Sequence, residues 1–363
     1  MKVLSIAMQA RIPVLIWGDP GTGKTSYIYS LGKSLNLPVE VEIGSVREPS
    51  DFGYPVIKDG AIEKVAPSWA KRLVNQGKGI LFLDELSTSP PAVQAAMLRV
   101  ILERVVGDTQ LPETIAIVAA ANPTESAASG WDLTPPMANR FCHLDWSLNP
   151  SEWTKGFISG WPVPEIHKLP ENWSQGIPLA KAKVAGFILK MPHLLSLIPK
   201  NEAQKGKAWP SPRTWDMAAT LLAAAESVND AEASFQLVTG CVGEAASLQF
   251  FTYIKDMDLI NPEDVLANPT GFTLPERSDI LYSSLMAVVT AVASKPTKQR
   301  WIDAWVILSR VAESGGKDVV VPPARVLITD DEFIKKGFLK KPFPPQVDEF
   351  LSEIYKFIKK TTK

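Results

Sequence analysis

The chain has 363 residues, of which 45% are hydrophobic and 21% charged, a balance typical of a globular protein with two or three domains. Its net charge of −1 gives no overall basic field that would attract nucleic acid or an anionic membrane. The apolar start of the chain is interrupted by Gln9 and Arg11, and no apolar run reaches transmembrane length, so we expect a cytoplasmic protein without a membrane segment.

Cysteine and histidine are scarce. Cys142 and Cys241 are far apart in the sequence and outside any metal-binding spacing, so we expect two buried thiols in a reducing compartment. Three histidines in the whole chain make a histidine-based zinc site an unfavoured interpretation.

The segment Gly18–Thr25, with the sequence GDPGTGKT, fits the phosphate-loop pattern G-x-x-x-x-G-K-[ST]. The backbone N–H groups of such a loop surround phosphate oxygens, while Lys24 would reach the β- and γ-phosphates and the Thr25 hydroxyl would ligate Mg²⁺. The apolar run 12–17 predicts a strand before the loop, and residues 26–31 predict a helix after it. The predicted nucleotide-binding residues are Gly18, Asp19, Pro20, Gly21, Thr22, Gly23, Lys24, Thr25 and Ser26.

Up to residue 148, short apolar runs alternate with helical segments, which is typical of a parallel sheet covered by helices. The predicted strands are 14–17, 39–44, 80–83, 115–120 and 141–146. Residues 56–63 predict a hairpin that turns at Asp59-Gly60, and a second turn is expected near Gly107-Asp108. Residues 91–102 predict a helix with proline in its first turn.

Two acids follow the third predicted strand. Asp84 and Glu85 come after four apolar residues, at the carboxyl end of the strand, where ligands bind in open α/β sheets. Asp84 is placed to hold the Mg²⁺ shell, and Glu85 is placed to orient and polarise the attacking water. Without the phosphate loop, the same pair would be as easily interpreted as a strand end that caps the next element.

Three further polar residues are candidates for the same chemistry. Asn122 ends the fourth strand and can bond the attacking water or the γ-phosphate, although Asn-Pro is also a common turn starter. Arg140 precedes the fifth strand, where it could act as an arginine finger on a neighbouring subunit or be a paired surface arginine. Arg213 follows a predicted N-cap, Ser211, and Pro212; because the helix dipole disfavours a cation there, an anion such as the γ-phosphate is expected nearby.

The remainder of the chain is predicted to be mainly helical. Helices are expected at 179–190 and across most of 213–260 and 278–314, with most of the tryptophans packing in this part. A final helix, 347–360, is expected to dock through one apolar face, with partner binding as the alternative. The residues of that face are Phe350, Leu351, Ile354, Tyr355 and Ile358. The predicted domains are 1–148, 149–315 and 316–363, namely an αβα core, a helical lid and a C-terminal extension.

The order of these motifs resembles that of AAA+ ATPases, and within them the MoxR branch. Three segments support the resemblance to that branch: Arg47-Glu48-Pro49 before an inserted hairpin, the helix after the acidic pair, and Ser211-Pro212-Arg213 as a second sensor. One departure is that Ser87-Thr88 stand where the family usually has Asn-Arg.

The resemblance implies an α/β fold with a parallel-sheet AAA+ core and a helical lid, and a ring, expected to be a hexamer, with ATP and Mg²⁺ at the subunit interfaces. Arg140 of one subunit would then complete the site of the next subunit. It also implies chaperone-like action on a protein partner, which in relatives is often a von Willebrand A-type protein. Two alternatives stay open: a nucleic-acid motor or clamp, with Lys71, Arg72 and Lys78 as candidate basic loop residues, and a nucleotide-gated scaffold with little turnover.

Overall fold

The chain forms two compact units. The computed structural model describes residues 2–123, 131, 133–255, 261–340 and 342–361. The first unit comprises Met1–Trp173 and Leu194–Leu248, and the second comprises Ser174–His193 and Gln249–Lys363. These bounds differ from the three predicted segments, because the helices within Leu194–Leu248 pack with the parallel sheet and the C-terminal extension shares a core with the helices before it.

All strands of the described residues belong to the first unit. In chain order they are β1 (Val14–Trp17), β2 (Val39–Ile43), β3 (Tyr54–Lys58), β4 (Ala61–Val65), β5 (Gly79–Asp84), β6 (Val105–Val106), β7 (Thr109–Gln110), β8 (Ile115–Ala121) and β9 (Cys142–Asp145). Five of them form a parallel sheet in the order β2-β5-β8-β1-β9, which confirms the five predicted strands. The central strands β1, β5 and β8 are almost wholly buried, which explains why their sequences are continuous apolar runs rather than alternating ones.

Helices make up most of the rest of the chain. In chain order they are α1 (Lys2–Gln9), α2 (Lys24–Leu35), α3 (Ser68–Gln76), α4 (Pro91–Glu103), α5 (Pro135–Ala138), α6 (Pro150–Ser159), α7 (Ile177–Lys190), α8 (Glu202–Lys205), α9 (Pro212–Ser227), α10 (Ala231–Val242), α11 (Glu244–Lys255), α12 (Pro262–Ala267), α13 (Ser278–Ser294), α14 (Lys298–Glu313), α15 (Lys317–Thr329), α16 (Asp331–Lys335) and α17 (Pro345–Thr361). The predicted helices at 91–102, 179–190 and 347–360 are α4, α7 and α17. In the part of the chain that the structure describes, no helix combines the length and the apolar character needed to cross a lipid bilayer.

The sheet is the middle of three layers. Alternate strand residues such as Leu15, Leu81 and Ile117 share one hydrophobic core with α3 and α4. On the opposite face α2 packs closely, since a Cβ at Gly32 would lie 3.5 Å from the Cδ1 atom of Ile80. The predicted fold class, an α/β core with a parallel sheet followed by a mainly helical region, is confirmed.

Two small hairpins project from the core. Strands β3 and β4 pair antiparallel around Asp59 and Gly60, whose φ angles of 50° and 78° suit a tight two-residue turn, as predicted. Strands β6 and β7 form the second predicted hairpin at Gly107-Asp108. The carboxylate of Asp108 accepts a hydrogen bond of 2.7 Å from the backbone N–H of Lys64, so the two hairpins are joined.

The second unit has its own hydrophobic core. Trp301 and Trp305 are fully buried there, with ring centroids 5.6 Å apart, as expected for tryptophans that pack in a helical domain. Helix α17 contributes Val347, Phe350, Leu351 and Ile354 to that core, which confirms the predicted docking of its apolar face. The other two residues of the predicted face, Tyr355 and Ile358, lie outside the side chains described.

Two tryptophans of the first unit do not follow the packing prediction. Trp153 and Trp161 are 42% and 62% exposed. Gly156 is the buried residue of α6, and it packs against the ring of Trp161, so most of the helix surface points outward. The two cysteines are buried free thiols, as predicted.

Candidate functional site

The predicted site residues meet because three neighbouring parallel strands end at one edge of the sheet. Strand β1 leads into the phosphate loop, β5 ends at Asp84 and β8 ends one residue before Asn122. Since β8 lies between β1 and β5, the loop, the acidic pair and Asn122 lie side by side.

The phosphate loop needs its glycines for two reasons. Gly21 and Gly23 have φ angles of 75° and 87°, in the left-handed region that glycine adopts without strain. A Cβ at Gly18 would lie 2.9 Å from both the Cβ atom and the backbone oxygen of Trp146, so no larger residue fits there. Helix α2 begins at Lys24 directly after the loop, with its N-terminus directed at the loop as anion binding requires.

Trp146 supports the loop and was not among the predicted site residues. Its indole Nε1 donates a hydrogen bond of 3.1 Å to the backbone oxygen of Thr22, and its ring meets that of Tyr27 edge-on at 5.0 Å. Asp19, Pro20, Thr22 and Ser26, four further predicted nucleotide-binding residues, lie in the loop or the first turn of α2. Nothing in the local sequence around Trp146 signals this contact, because Trp146 follows a strand more than a hundred residues after the loop.

Lys24 lies at the centre of the site. It is only 8% exposed, and its Nζ donates to the backbone oxygens of Gly18 and Asp19 at 2.6 and 2.9 Å and to Oδ1 of Asn122 at 3.1 Å. Burial lowers the pKa of Lys24, while the carboxylate of Asp84 opposes that shift. The three acceptors hold a cation at the mouth of the loop, where an anionic ligand is a stronger partner than a neutral oxygen.

Thr25 and Asp84 are in direct contact. The Thr25 hydroxyl donates to Oδ2 of Asp84 at 2.6 Å, and the backbone N–H of Glu85 donates to Oδ1 at 2.9 Å. Both predicted metal ligands therefore present hard oxygen atoms side by side, a donor set that fits Mg²⁺.

Glu85 has an unusual backbone conformation. Its φ and ψ angles of 58° and 40° are left-handed, which is uncommon for a residue with a long side chain and is often found at functional positions. The hydroxyls of Thr88 and Ser89 donate to its carbonyl oxygen at 3.0 and 2.9 Å, and the hydroxyl of Ser45 donates to its carboxylate. Ser45 therefore holds the carboxylate that was predicted to orient water.

Ser87 and Thr88, which stand where the MoxR-branch pattern has Asn-Arg, both form hydrogen bonds through their hydroxyls. Ser87 is 1% exposed, and its Oγ both accepts from the backbone N–H of Asn122 and donates to the Asn122 oxygen, each at 3.1 Å. Ser87 thus fixes the end of β8, and Thr88 braces Glu85. The roles of Ser87 and Ser45 were not predicted, because their partners are 35 and 40 residues away along the chain.

Arg140 lies at the opposite end of the sheet strands, where β1 and β9 begin. It precedes β9, whose Cys142 is in register with Val14 at the start of β1, whereas the phosphate loop follows the end of β1. Strand β1 has four residues, so at about 3.3 Å per residue the two ends are about 13 Å apart. The structure therefore does not bring Arg140 to the phosphate loop of its own chain.

Arg213 lies near Arg140 rather than among the residues around Lys24. Ser211 caps α9, since its Oγ accepts from the backbone N–H of Thr214 at 3.2 Å, and it also donates to Oδ1 of Asn139 at 2.8 Å. Burial lowers the pKa of Arg140, and the positive charge of Arg213 adds to that effect. The predicted residues thus form two groups, with Lys24, Thr25, Asp84, Glu85 and Asn122 in one and the two arginines in the other.

Arg47, from the Arg-Glu-Pro motif, pairs with a buried acid on β2. Its Nε lies 2.8 Å from Oε2 of Glu42, which is 3% exposed, although the two groups are not aligned well enough to form a hydrogen bond. Burial raises the pKa of Glu42, and Arg47 opposes the shift. The pair supports the start of the segment that carries Ser45.

Replacing Arg47 with alanine should lower the free energy of unfolding by about 1–3 kcal/mol, because a buried carboxylate loses its partner while Arg47 itself is partly solvated. The pKa of Glu42, already above its ordinary value, should rise further. A carboxyl group whose pKa is raised in the folded state favours that state only at pH values below the raised pKa. The loss of stability in the variant should therefore grow as the pH increases through the pKa of Glu42. Urea unfolding at pH 5.5 and pH 8 measures the difference. The double variant Arg47→Ala/Glu42→Gln should regain stability at pH 8, and a pH-independent loss would contradict the assignment.

Comparison with known proteins places the phosphate loop and the acidic pair within one domain. The family model "AAA domain (dynein-related subfamily)" matches residues 13–141. The Psp operon transcriptional activator of Escherichia coli K12 is 34% identical over 122 residues, which cover 30% of this chain and 37% of that protein. Protein MoxR of Methylorubrum extorquens is 31% identical over 107 residues, covering 29% of this chain and 31% of that protein.

The chain therefore spans about a third of the length of these curated relatives. A solved structure of a Cytophaga hutchinsonii protein aligns with 70% of this chain and 88% of that chain at 18% identity, with a TM-score of 0.42, which is too low to relate the two arrangements. The matched residues contain the whole Lys24 group described above. Residues 13–141 thus form an AAA domain, and protein MoxR is among the proteins to which this chain is similar.

Proposed function

We propose that this chain is an ATPase that assembles head to tail into a ring, expected to be a hexamer, and hydrolyses ATP at the subunit interfaces. The observation that carries the proposal is the division of the site. The Lys24 group and Arg140 lie at opposite ends of the sheet strands, which supports a role for Arg140 at the phosphate loop of another copy. Head-to-tail contacts form a ring when the rotation between neighbouring copies closes.

The residues of the Lys24 group have complementary roles in this proposal. The loop N–H groups and Lys24 bind the β- and γ-phosphates, and Thr25 and Asp84 would hold Mg²⁺, which neutralises charge on the phosphates when bound. Glu85 orients and polarises the attacking water, and Asn122 holds Lys24 beside it. Arg140 and Arg213 of the neighbouring copy supply positive charge to the transition state.

We further propose that the ATPase acts on a protein partner, in a chaperone-like remodelling or maturation step, with a von Willebrand A-type protein as the expected class. The net charge of −1 supports a protein rather than a nucleic acid as the partner. Lys71 and Arg72, two of the candidate basic loop residues, lie on α3 rather than in a loop. Arg72 donates to both carboxylate oxygens of Glu40 at 2.6 and 2.7 Å, which lowers the local positive charge. ATPase stimulation by DNA that weakens steeply with salt would instead favour the nucleic-acid motor.

The Lys24→Ala variant tests the proposal. Removing a buried ammonium that donates to three oxygens should weaken ATP binding by about 10- to 100-fold, the value of a charge-assisted hydrogen bond. Calorimetric titration with ATP and a steady-state ATPase assay measure both steps. Lys33→Ala, an exposed lysine in the last turn of the same helix, is the matched control and should bind ATP normally. Binding without turnover in assembled wild-type rings would leave the nucleotide-gated scaffold as the better interpretation.

A further inference from the structure

A hydrogen-bonded relay runs from the last residue of β1 to the segment that carries Arg140. Trp17 donates from Nε1 to Nδ1 of His143 at 2.9 Å, and Nε2 of that ring lies 2.8 Å from the backbone oxygen of Ala138. Because Nδ1 accepts, the ring proton is on Nε2, which donates to Ala138. Burial lowers the pKa of His143 to about 4, so the ring is neutral near pH 7 and keeps this tautomer.

The next residue along the chain joins the relay to the N-cap of α9. Asn139 follows Ala138, and its Oδ1 accepts a hydrogen bond of 2.8 Å from Ser211, the N-cap of α9. The Ala138 oxygen is thus fixed from the β9 side, and the Asn139 side chain from the α9 side. Arg140 is the next residue along the chain.

Local structure alone cannot fix this segment. Helix α5 has only four residues, Pro135–Ala138, and a single turn of helix is not stable without tertiary contacts. The Ala138 oxygen accepts from His143 at 2.8 Å and from the backbone N–H of Phe141 at 3.3 Å, so the imidazole is its closer partner. On the other side of the relay, Lys207 lies 3.4 Å from the centroid of the Trp17 ring and holds the indole by a cation–π contact.

We propose that His143 is a positioning residue that directs Arg140 toward the nucleotide of the neighbouring subunit, through its hydrogen bond to Ala138. Asn139 is the second anchor of the same segment. The inference rests on the proposed function, since it gives Arg140 the role of an arginine finger. It adds a buried, uncharged histidine that affects the rate of hydrolysis only through the segment carrying Arg140.

Two substitutions at His143 test the roles of the two ring nitrogens separately. His143→Gln retains an N–H donor at the ε position for Ala138, whereas His143→Asn retains an acceptor at the δ position for Trp17 and loses the bond to Ala138. Because a misplacement of about 1 Å can cost about 10²-fold in rate, His143→Asn should lower kcat by about 10- to 100-fold. The Kd for ATP should stay within about twofold, and His143→Gln should retain most of the wild-type kcat.

A double-mutant cycle with Arg140→Ala tests whether His143 acts through the arginine. His143→Asn should lower kcat in the wild type and have little further effect when Arg140 is already alanine. Asn139→Ala, which loses the second anchor, should give the same kcat defect and serves if His143→Asn does not fold. Cys142→Ala is the matched control, because its Sγ faces Leu237 of α10 from the same strand without joining the relay.

Equal kcat losses for the glutamine and asparagine variants, or additive losses in the cycle, would overturn the positioning role. A large kcat loss for Arg140→Ala together with normal kcat for both His143→Asn and Asn139→Ala would overturn this inference alone. An unchanged kcat for Arg140→Ala would reject the finger itself, and His143 would then have no residue to act through.

Discussion

Replacing Glu85 with glutamine is expected to leave ATP binding intact and to slow hydrolysis by about 10²- to 10⁴-fold, the usual contribution of a general base. Glutamine has the shape of glutamate, and its amide oxygen can still accept from Ser45, so the left-handed backbone and the Thr88 and Ser89 contacts should persist. A neutral amide polarises the attacking water far less than a carboxylate. The substitution therefore removes the chemistry and retains the site.

The measurement is a steady-state ATPase assay beside a calorimetric ATP titration. Glu113→Gln is the matched control, because it removes the same charge from an exposed acid that pairs with Arg11. An unchanged kcat for Glu85→Gln would exclude Glu85 as the group that orients water. A lost ATP affinity would instead mean that Glu85 supports the loop, through Asp84 and the metal site.

The ends of the sheet strands were predictable because their signals are local. A strand that is buried on both faces must be apolar throughout, as Ile80–Leu83 is, so the polar residue that follows it marks the strand end. Parallel strands end at a common edge, which is why the sequence alone predicts Asp84, Glu85 and Asn122 beside the loop.

The contacts that tune this site were not predictable. Ser45, Ser87 and Trp146 reach their partners across gaps of 40, 35 and 124 residues. Serine in a loop after a strand is ordinary, and no periodicity distinguishes one that braces a carboxylate from one that faces water. Only the three-dimensional arrangement of neighbouring strands brings these side chains to their partners.

The positions of the helices in the sequence were also easier to predict than the elements against which each helix packs. Alanine- and leucine-rich segments indicate buried helices, but α9 and α10 are equally apolar whether they pack on a sheet or on other helices. Their position is decided by close contacts such as that of Gly240, where a Cβ would lie 2.4 Å from the His143 oxygen. Helix α9, which carries Arg213, packs against α10, so Arg213 belongs to the same unit as Arg140.

Replacing Arg140 with alanine should preserve ATP binding and lower kcat by about 10³- to 10⁵-fold, the range associated with an arginine finger. The guanidinium has donors to spare for this role. Its contact within the described residues is to the backbone oxygen of Pro136, and its buried Nε has no hydrogen-bond partner among them. Arg325→Ala, at an exposed arginine of the second unit, controls for loss of an arginine and should leave kcat unchanged.

Mixing subunits then decides whether Arg140 acts on its own site or on its neighbour's. An Arg140→Ala subunit retains Glu85, and a Glu85→Gln subunit retains Arg140, so one complete site forms wherever the first meets the second in the right order. In an equal, random mixture about a quarter of the interfaces of a head-to-tail ring are complete, so activity should return to about a quarter of wild type. No recovery would show that Arg140 does not act in trans. Because the positive charge of Arg213 acts on Arg140, Arg213→Ala subunits should recover in the same mixture if both arginines serve the neighbour, and should stay inactive if Arg213 serves its own chain.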